Sequence, residues 1–142
     1  MHDEVFVDAS FWIALIHGRE ERHQEARYRW QMSITTDLTP ITTNWTLYEA
    51  LTFLNSRQRR RHDLALRLLR LADMTTETID ASQFEQQALD IFVSHSDKHW
   101  SVVDCANFVC IRERGSRFAL SFDRDFAQAQ TEFTFQVLGF RS

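Results

Sequence analysis

An apolar run that stops on a carboxylate and then resumes at once is the strongest constraint in this chain. It reads Val5-Phe6-Val7-Asp8-Ala9-Ser10-Phe11-Trp12. A carboxylate set between apolar residues is costly to bury unless something compensates it. With residues 5–7 as a buried strand, Asp8 falls at that strand's C-terminal end, the edge where ligands bind in open α/β sheets. The pattern recurs three times: Glu49 in Thr46-Leu47-Tyr48-Glu49-Ala50-Leu51, Asp104 in Ser101-Val102-Val103-Asp104-Cys105-Ala106, and Asp123 in Leu120-Ser121-Phe122-Asp123. The four acids are expected to meet in space and share a metal ion.

The rest of the chain supplies a frame for that meeting. Short β-branched or apolar runs at residues 4–8, 40–43, 76–79, 117–122 and 133–138 read as five strands. Between them lie helical patterns at 9–17, 19–33, 45–54, 64–72, 82–95, 101–115 and 125–130. Apolar spacing places Phe11, Trp12, Leu15 and Ile16 on the inner face of the first helix, and Ala26, Trp30 and Ile34 on that of the second. Ser10 is a candidate cap for the first helix, and Asn44 or Thr46 for the third. Strands alternating with helices predict a mostly parallel sheet of about five strands with helices on both faces. No repeat or linker interrupts the pattern, so residues 1–142 read as one α/β domain.

Composition narrows the function mainly by exclusion. Three glycines and one proline leave no Gly-rich phosphate loop. No signal peptide and no apolar run long enough to span a membrane is apparent, so a cytoplasmic protein is expected. Cys105 and Cys110 sit too close on one helix for a structural disulfide and read as reduced core thiols. The net charge of −4 argues mildly against a nucleic-acid binder, but Lys98 is the only lysine and the remaining cations are arginine, whose planar fork suits phosphate. The run Arg57-Gln58-Arg59-Arg60-Arg61-His62 is the densest positive stretch. It has three readings: an RNA backbone track, a contact for an acidic partner segment, or a solvated loop.

In the expected layout Asp8 and Asp123 close strands, while Glu49 and Asp104 lie early in helices, so all four face one sheet edge. Four such carboxylates repel one another, and some must take up protons unless a divalent cation relieves them. All-oxygen ligation suits Mg²⁺ or Mn²⁺ rather than zinc. That chemistry activates water for in-line attack on a phosphodiester and leaves a 5′-phosphate and a 3′-hydroxyl. Asp97 is either a fifth acid at the rim or a helix cap, and Ser101 either a cap or a contact to substrate phosphate. His95 and His99 lack a third ligand and read as solvated surface histidines. Phe11, Trp12, Trp45, Phe53, Phe84, Phe92 and Phe108 sit at core spacing.

These motifs resemble the PIN-domain family, and within it most closely the VapC-type toxin ribonucleases of type II toxin–antitoxin systems. The opening strand, Asp, Ser and aromatic are Val7-Asp8-Ala9-Ser10-Phe11-Trp12, and the mid-chain helical glutamate is Glu49. The block from Asp97 through Ser101 to Asp104-Cys105 is the most specific, and Phe122-Asp123-Arg124-Asp125-Phe126 closes the series. The resemblance spans nearly the whole chain. It implies a PIN fold, Mg²⁺- or Mn²⁺-dependent cleavage of single-stranded RNA, a homodimer and inhibition by a small VapB-like antitoxin. Asp8, Glu49, Asp104 and Asp123 would carry the chemistry, with Asp8, Asp104 and Asp123 on the metal. Asp125 stands where many relatives have histidine or another residue, so either it or Asp123 would face the metal; Asp123, at the strand end, is the expected one. A non-cutting RNA- or protein-binding module and a PIN-fold nuclease acting on DNA are the alternatives.

Overall fold

Why the acids converge is set by strand order. The computed structural model describes residues 3–56, 58 and 60–138. The strands are β1 (Glu4–Val7), β2 (Thr39–Thr43), β3 (Glu77–Ile79), β4 (Phe118–Leu120) and β5 (Gln136–Leu138). They form one sheet in the order β3-β2-β1-β4-β5, and every pairing is parallel. The chain fills one half of the sheet outward from β1 and then returns to fill the other. The order therefore reverses between β1 and β4, and a crevice opens there outside the C-terminal strand ends. Asp8 leaves β1 at that crevice, and Ser121 to Asp123 leave β4 beside it.

Among the described residues seven α-helices complete the architecture: α1 (Ala9–Ile16), α2 (His23–Thr35), α3 (Asn44–Leu54), α4 (His62–Thr75), α5 (Glu85–Ser94), α6 (Val102–Arg114) and α7 (Arg124–Ala129). A 3₁₀ turn over Ala81–Phe84 precedes α5. The period-2 alternation of β1 sorts the two cores. Val5 and Val7 pack with Leu120, Phe11, Trp12 and the leucines of α3 and α4 on one face. Phe6 packs with Ile41, Ala119, Phe108, Phe126 and Phe133 on the other. Phe6 and Phe126 stack at 6.0 Å, and Phe108 meets Phe126 edge-on at 5.0 Å. Truncating any one of these three buried rings to alanine would cost about 3–5 kcal/mol.

Cap chemistry fixes where helices α3 and α6 begin. Thr43, the last residue of β2, caps α3 by accepting from the Thr46 amide at 3.2 Å, in place of the expected Asn44 or Thr46. The Asn44 side chain instead takes the amides of Trp45 and Ala81, tying α3 to the 3₁₀ turn. Ser101 caps α6 in a reciprocal box with Asp104, and Gly115 ends the helix at φ 65°, a left-handed conformation that glycine adopts without a Cβ penalty. Both cysteines lie in α6 as free, buried thiols. Burial pushes Cys105 up to about 11 and Cys110 up to about 12, so neither is a ready thiolate.

Several expected details differ. Residues 19–22 form turns, and α2 starts at His23. Ile34, at 48% exposure, and Phe92, at 47%, face solvent, because helical spacing fits an outer row as well as an inner one. β5 is shorter than residues 133–138: Phe133 and Phe135 remain buried, but in the turn before the strand. Among the described residues, no helix is long and apolar enough to cross a membrane.

Candidate metal centre

Three carboxylates come together at the crevice. Oxygens of Asp104, Asp123 and Asp125 all lie within 4.8 Å of one another. Asp104 reaches the site from the first turn of α6, and its Oδ2 accepts the Ser101 amide at 3.0 Å. Asp123 follows β4 and caps α7, with its Oδ1 accepting the Asp125 amide at 2.9 Å. That short turn swings the Asp125 side chain into the same group. Asp123 is therefore both a cap and a site candidate, and its carboxylate and that of Asp125 both belong to the group.

Asp8 stands behind this group. It is buried at 3% exposure and occupies the N-cap position of α1, yet its side chain makes no cap bond. Its Oδ2 accepts instead from the Ser10 and Ser121 hydroxyls, each at 2.9 Å. Ser10 in turn accepts the Phe122 amide, and Ser121 accepts the Asp123 amide, both at 3.0 Å. Ser10 thus stitches β1 to the loop after β4 rather than capping α1. Ser121 was not singled out from the sequence. The available signal was a hydroxyl in a buried strand run, which must find a partner.

Proton affinities record the crowding. Burial raises the Asp8 carboxyl to about 6, with the Asp123 charge adding to the rise, while the hydroxyls of Ser10 and Ser121 oppose it. Burial raises Asp104 to about 7 against the Ser101 amide, and the charges of Asp8, Asp123 and Asp125 push it further. Glu49 is exposed by area, but desolvation in the acidic cleft and the charges of Asp104 and Asp123 raise it. Desolvation and Asp123 raise Asp125, while His99 works in the opposite direction. All five acids belong to one electrostatic group.

The donor set fits a hard divalent cation. Ligand oxygens at about 2.1 Å from Mg²⁺ stand no more than about 4.2 Å apart. Oxygens within 4.8 Å need only small side-chain adjustments to meet that geometry. Among the described residues no nitrogen or sulfur ligand belongs to this group, which disfavours zinc.

Other sequence candidates lie apart from the trio. Asp97 is exposed and sits 3.6 Å from Lys98. Ser101 acts as the α6 cap. His95 is not a solvated histidine: its Nε2 meets Glu132 at 2.9 Å and its ring packs on Trp100 at 5.0 Å. Arg57 and Arg59 lie outside the described residues, Arg60 is exposed, and Arg61 binds Asp63 through two bonds of 3.1 and 3.0 Å.

Comparison with known proteins adds an independent line. The PIN domain pattern matches residues 5–132. The 23S rRNA-specific endonuclease VapC20 of Mycobacterium tuberculosis strain H37Rv is 33% identical over 125 residues, covering 88% of this chain and 93% of the relative. The same protein from strain CDC 1551 matches equally. The crystal structure of Mycobacterium tuberculosis VapC20, described as a sarcin–ricin loop cleaving toxin, superposes with a TM-score of 0.79 at 30% identity. That superposition covers 89% of this chain and 95% of that one.

Proposed function

The chain belongs to the PIN-domain family, and we propose that it is a Mg²⁺- or Mn²⁺-dependent endoribonuclease, the toxin of a VapBC-type pair. The convergence of Asp104, Asp123 and Asp125 over a buried Asp8 carries this reading. Such clustered, uncompensated acids are a cost to a protein that only binds RNA, since they repel its phosphates. They suit one that recruits a cation to the scissile bond. The substrate is a single-stranded or looped RNA segment, and ribosomal RNA is the first target to test, in view of VapC20.

When bound, the divalent cation supplies Lewis-acid polarisation of the phosphodiester and lowers the cost of forming hydroxide from water. Asp104, Asp123 and Asp125 would hold it. Asp8, fixed by Ser10 and Ser121, sets the position of the loop that carries Asp123 and supplies negative charge from behind. Glu49, on the exposed side of the cleft, would orient the attacking water and accept its proton; its raised proton affinity suits that role. The chain would act in the cytoplasm as a homodimer, restrained by a VapB-like antitoxin.

The test is cleavage of a labelled 23S ribosomal RNA fragment in Mg²⁺, Mn²⁺ or EDTA, with wild type beside Asp8→Asn. Cutting that needs the cation and is lost in the variant is expected. Absence of cutting by antitoxin-free wild type across ribosomal, transfer and messenger RNA would overturn the proposal.

A further inference from the structure

A second cleft lies apart from the acids. A cavity of roughly 1010 Å³ opens between the turn after α1, the first half of α2 and the start of α4. Arg19, Arg27, Arg61 and Arg67 line it together with Tyr28 and Trp30, and no described acid does. Arg19, Arg27 and Arg67 are exposed, and the Tyr28 ring is 56% exposed. One connection ties this cleft to the acidic edge. The turn that contributes Arg19 also carries Arg22, whose guanidinium lies 5.6 Å from the ring centre of Phe122, between Ser121 and Asp123.

We propose that this cleft is a second RNA-binding site, gripping the phosphodiester backbone and an unstacked base of the strand presented to the acids. The proposal rests on the ribonuclease reading for the identity of that strand. The guanidinium forks of Arg19, Arg27 and Arg67 offer paired donors to phosphate oxygens, while that of Arg61 is engaged by Asp63. The exposed Tyr28 ring beside them offers a stacking face to a splayed base, which is how looped RNA is held. Charge alone would also suit an acidic protein segment; the π surfaces among the arginines favour RNA. The site also answers an electrostatic difficulty. A polyanion approaching a crevice of five acids needs cations nearby, and these arginines supply them.

The experiment measures binding in EDTA, where no cutting occurs, of a fluorescein-labelled RNA hairpin with a single-stranded loop. Wild type is compared with Arg27→Gln/Arg67→Gln and with Tyr28→Ser, all at exposed positions, and melting curves check the fold. The double variant should bind about tenfold more weakly, with a slope of log affinity against log salt shallower by about 1.4, the value for two phosphate contacts on a single strand. Tyr28→Ser should weaken binding about fivefold to tenfold and leave the salt slope unchanged. Unchanged affinity and slope in the double variant would overturn the proposal. So would a double variant that loses affinity for polyglutamate while keeping its affinity for RNA, which would assign the cleft to an acidic protein partner. A wild type that binds the hairpin through these residues yet cuts no RNA would sink the nuclease reading and leave the cleft standing.

Discussion

Acids gather at both edges of this sheet, and helix α6 runs between the two gatherings. Its last turn carries Arg114 to the N-terminal strand edge, where Glu4 opens β1 and Glu77 opens β3. Arg114 donates to both: Nε to Glu4 at 3.1 Å, and Nη1 and Nη2 to Glu77 at 3.0 and 2.8 Å. That guanidinium holds the Glu77 carboxyl below its usual range. The first turn of α6 carries Asp104 to the opposite edge, where no arginine among the described residues is paired with the acids and the carboxyls of Asp8 and Asp104 rise to about 6 and about 7. Both placements suit the helix dipole, the acid at its positive end and the cation at its negative end. The lower edge is complete within the protein. The upper edge gathers acids that no arginine pairs with among the described residues, an arrangement that could hold a cation.

The sharpest way to break the comparison is to remove charge from the upper edge. Asp8→Asn or Asp104→Asn should lower metal-dependent RNA cleavage by a factor on the order of 10²–10³, measured with protein whose melting temperature is at least that of wild type. An unfolded Asp104→Asn would instead make that acid structural. The next effect is on stability. The folded-state proton affinities of Asp8 and Asp104 are raised, so the native state binds more protons than the unfolded chain between about pH 4 and pH 7. Stability of the cation-free protein should therefore fall as pH rises through that window, by on the order of 2–3 kcal/mol for the Asp8 shift alone. Melting curves at pH 5 and pH 8 in EDTA would show it. Asp8→Asn should flatten the dependence, and Mn²⁺ should restore stability mainly at pH 8.

What the sequence conveyed well and poorly follows the same contrast. Asp8, Glu49, Asp104 and Asp123 were legible because each interrupts an apolar run, and an interruption of that kind must be explained by where the strand or helix ends. The alternation of short strands with helices was legible for the same reason, since its period changes between 2 and 3.6. Asp125 was harder: its place in the trio depends on the Asp123 cap turn, a three-dimensional consequence of one hydrogen bond. The two hydroxyls behind Asp8 come from chain positions 111 residues apart, and nothing local pairs Ser10 with Ser121. Helix faces were the weakest part. Phe92 lies in an outer row that its spacing alone does not distinguish from an inner one.

The lower edge offers the converse perturbation, with a smaller effect. Arg114→Met should strand Glu4 and Glu77 beside each other and cost about 1–2 kcal/mol, discounted because Glu77 is half exposed. The depressed Glu77 carboxyl contributes stability above its unfolded value and loses it as pH falls. The gap between wild type and variant should therefore close below about pH 4 in melting curves. Cleavage per folded molecule should be unchanged. A loss of cleavage without a loss of stability would mean that α6 transmits strain from one edge to the other.

Ser121→Ala probes the upper edge most finely, because it removes a hydroxyl and no charge. Asp8 would lose one of the two hydrogen bonds that favour its ionised form, and the Asp123 amide would lose its acceptor. The Asp8 carboxyl should then rise above about 6, and more of it would be protonated at neutral pH. A cost of about 1 kcal/mol to the ionised form should lower the ionised fraction of Asp8, and with it cleavage, by less than about twofold at pH 7, recovering by pH 8.5 as Asp8 ionises. A deficit that stays constant across that range would locate the role of Ser121 in placing the Asp123 loop, with the proton on Asp8 of no consequence. Recovery with pH would tie the two serines to the charge state of the acid they hold.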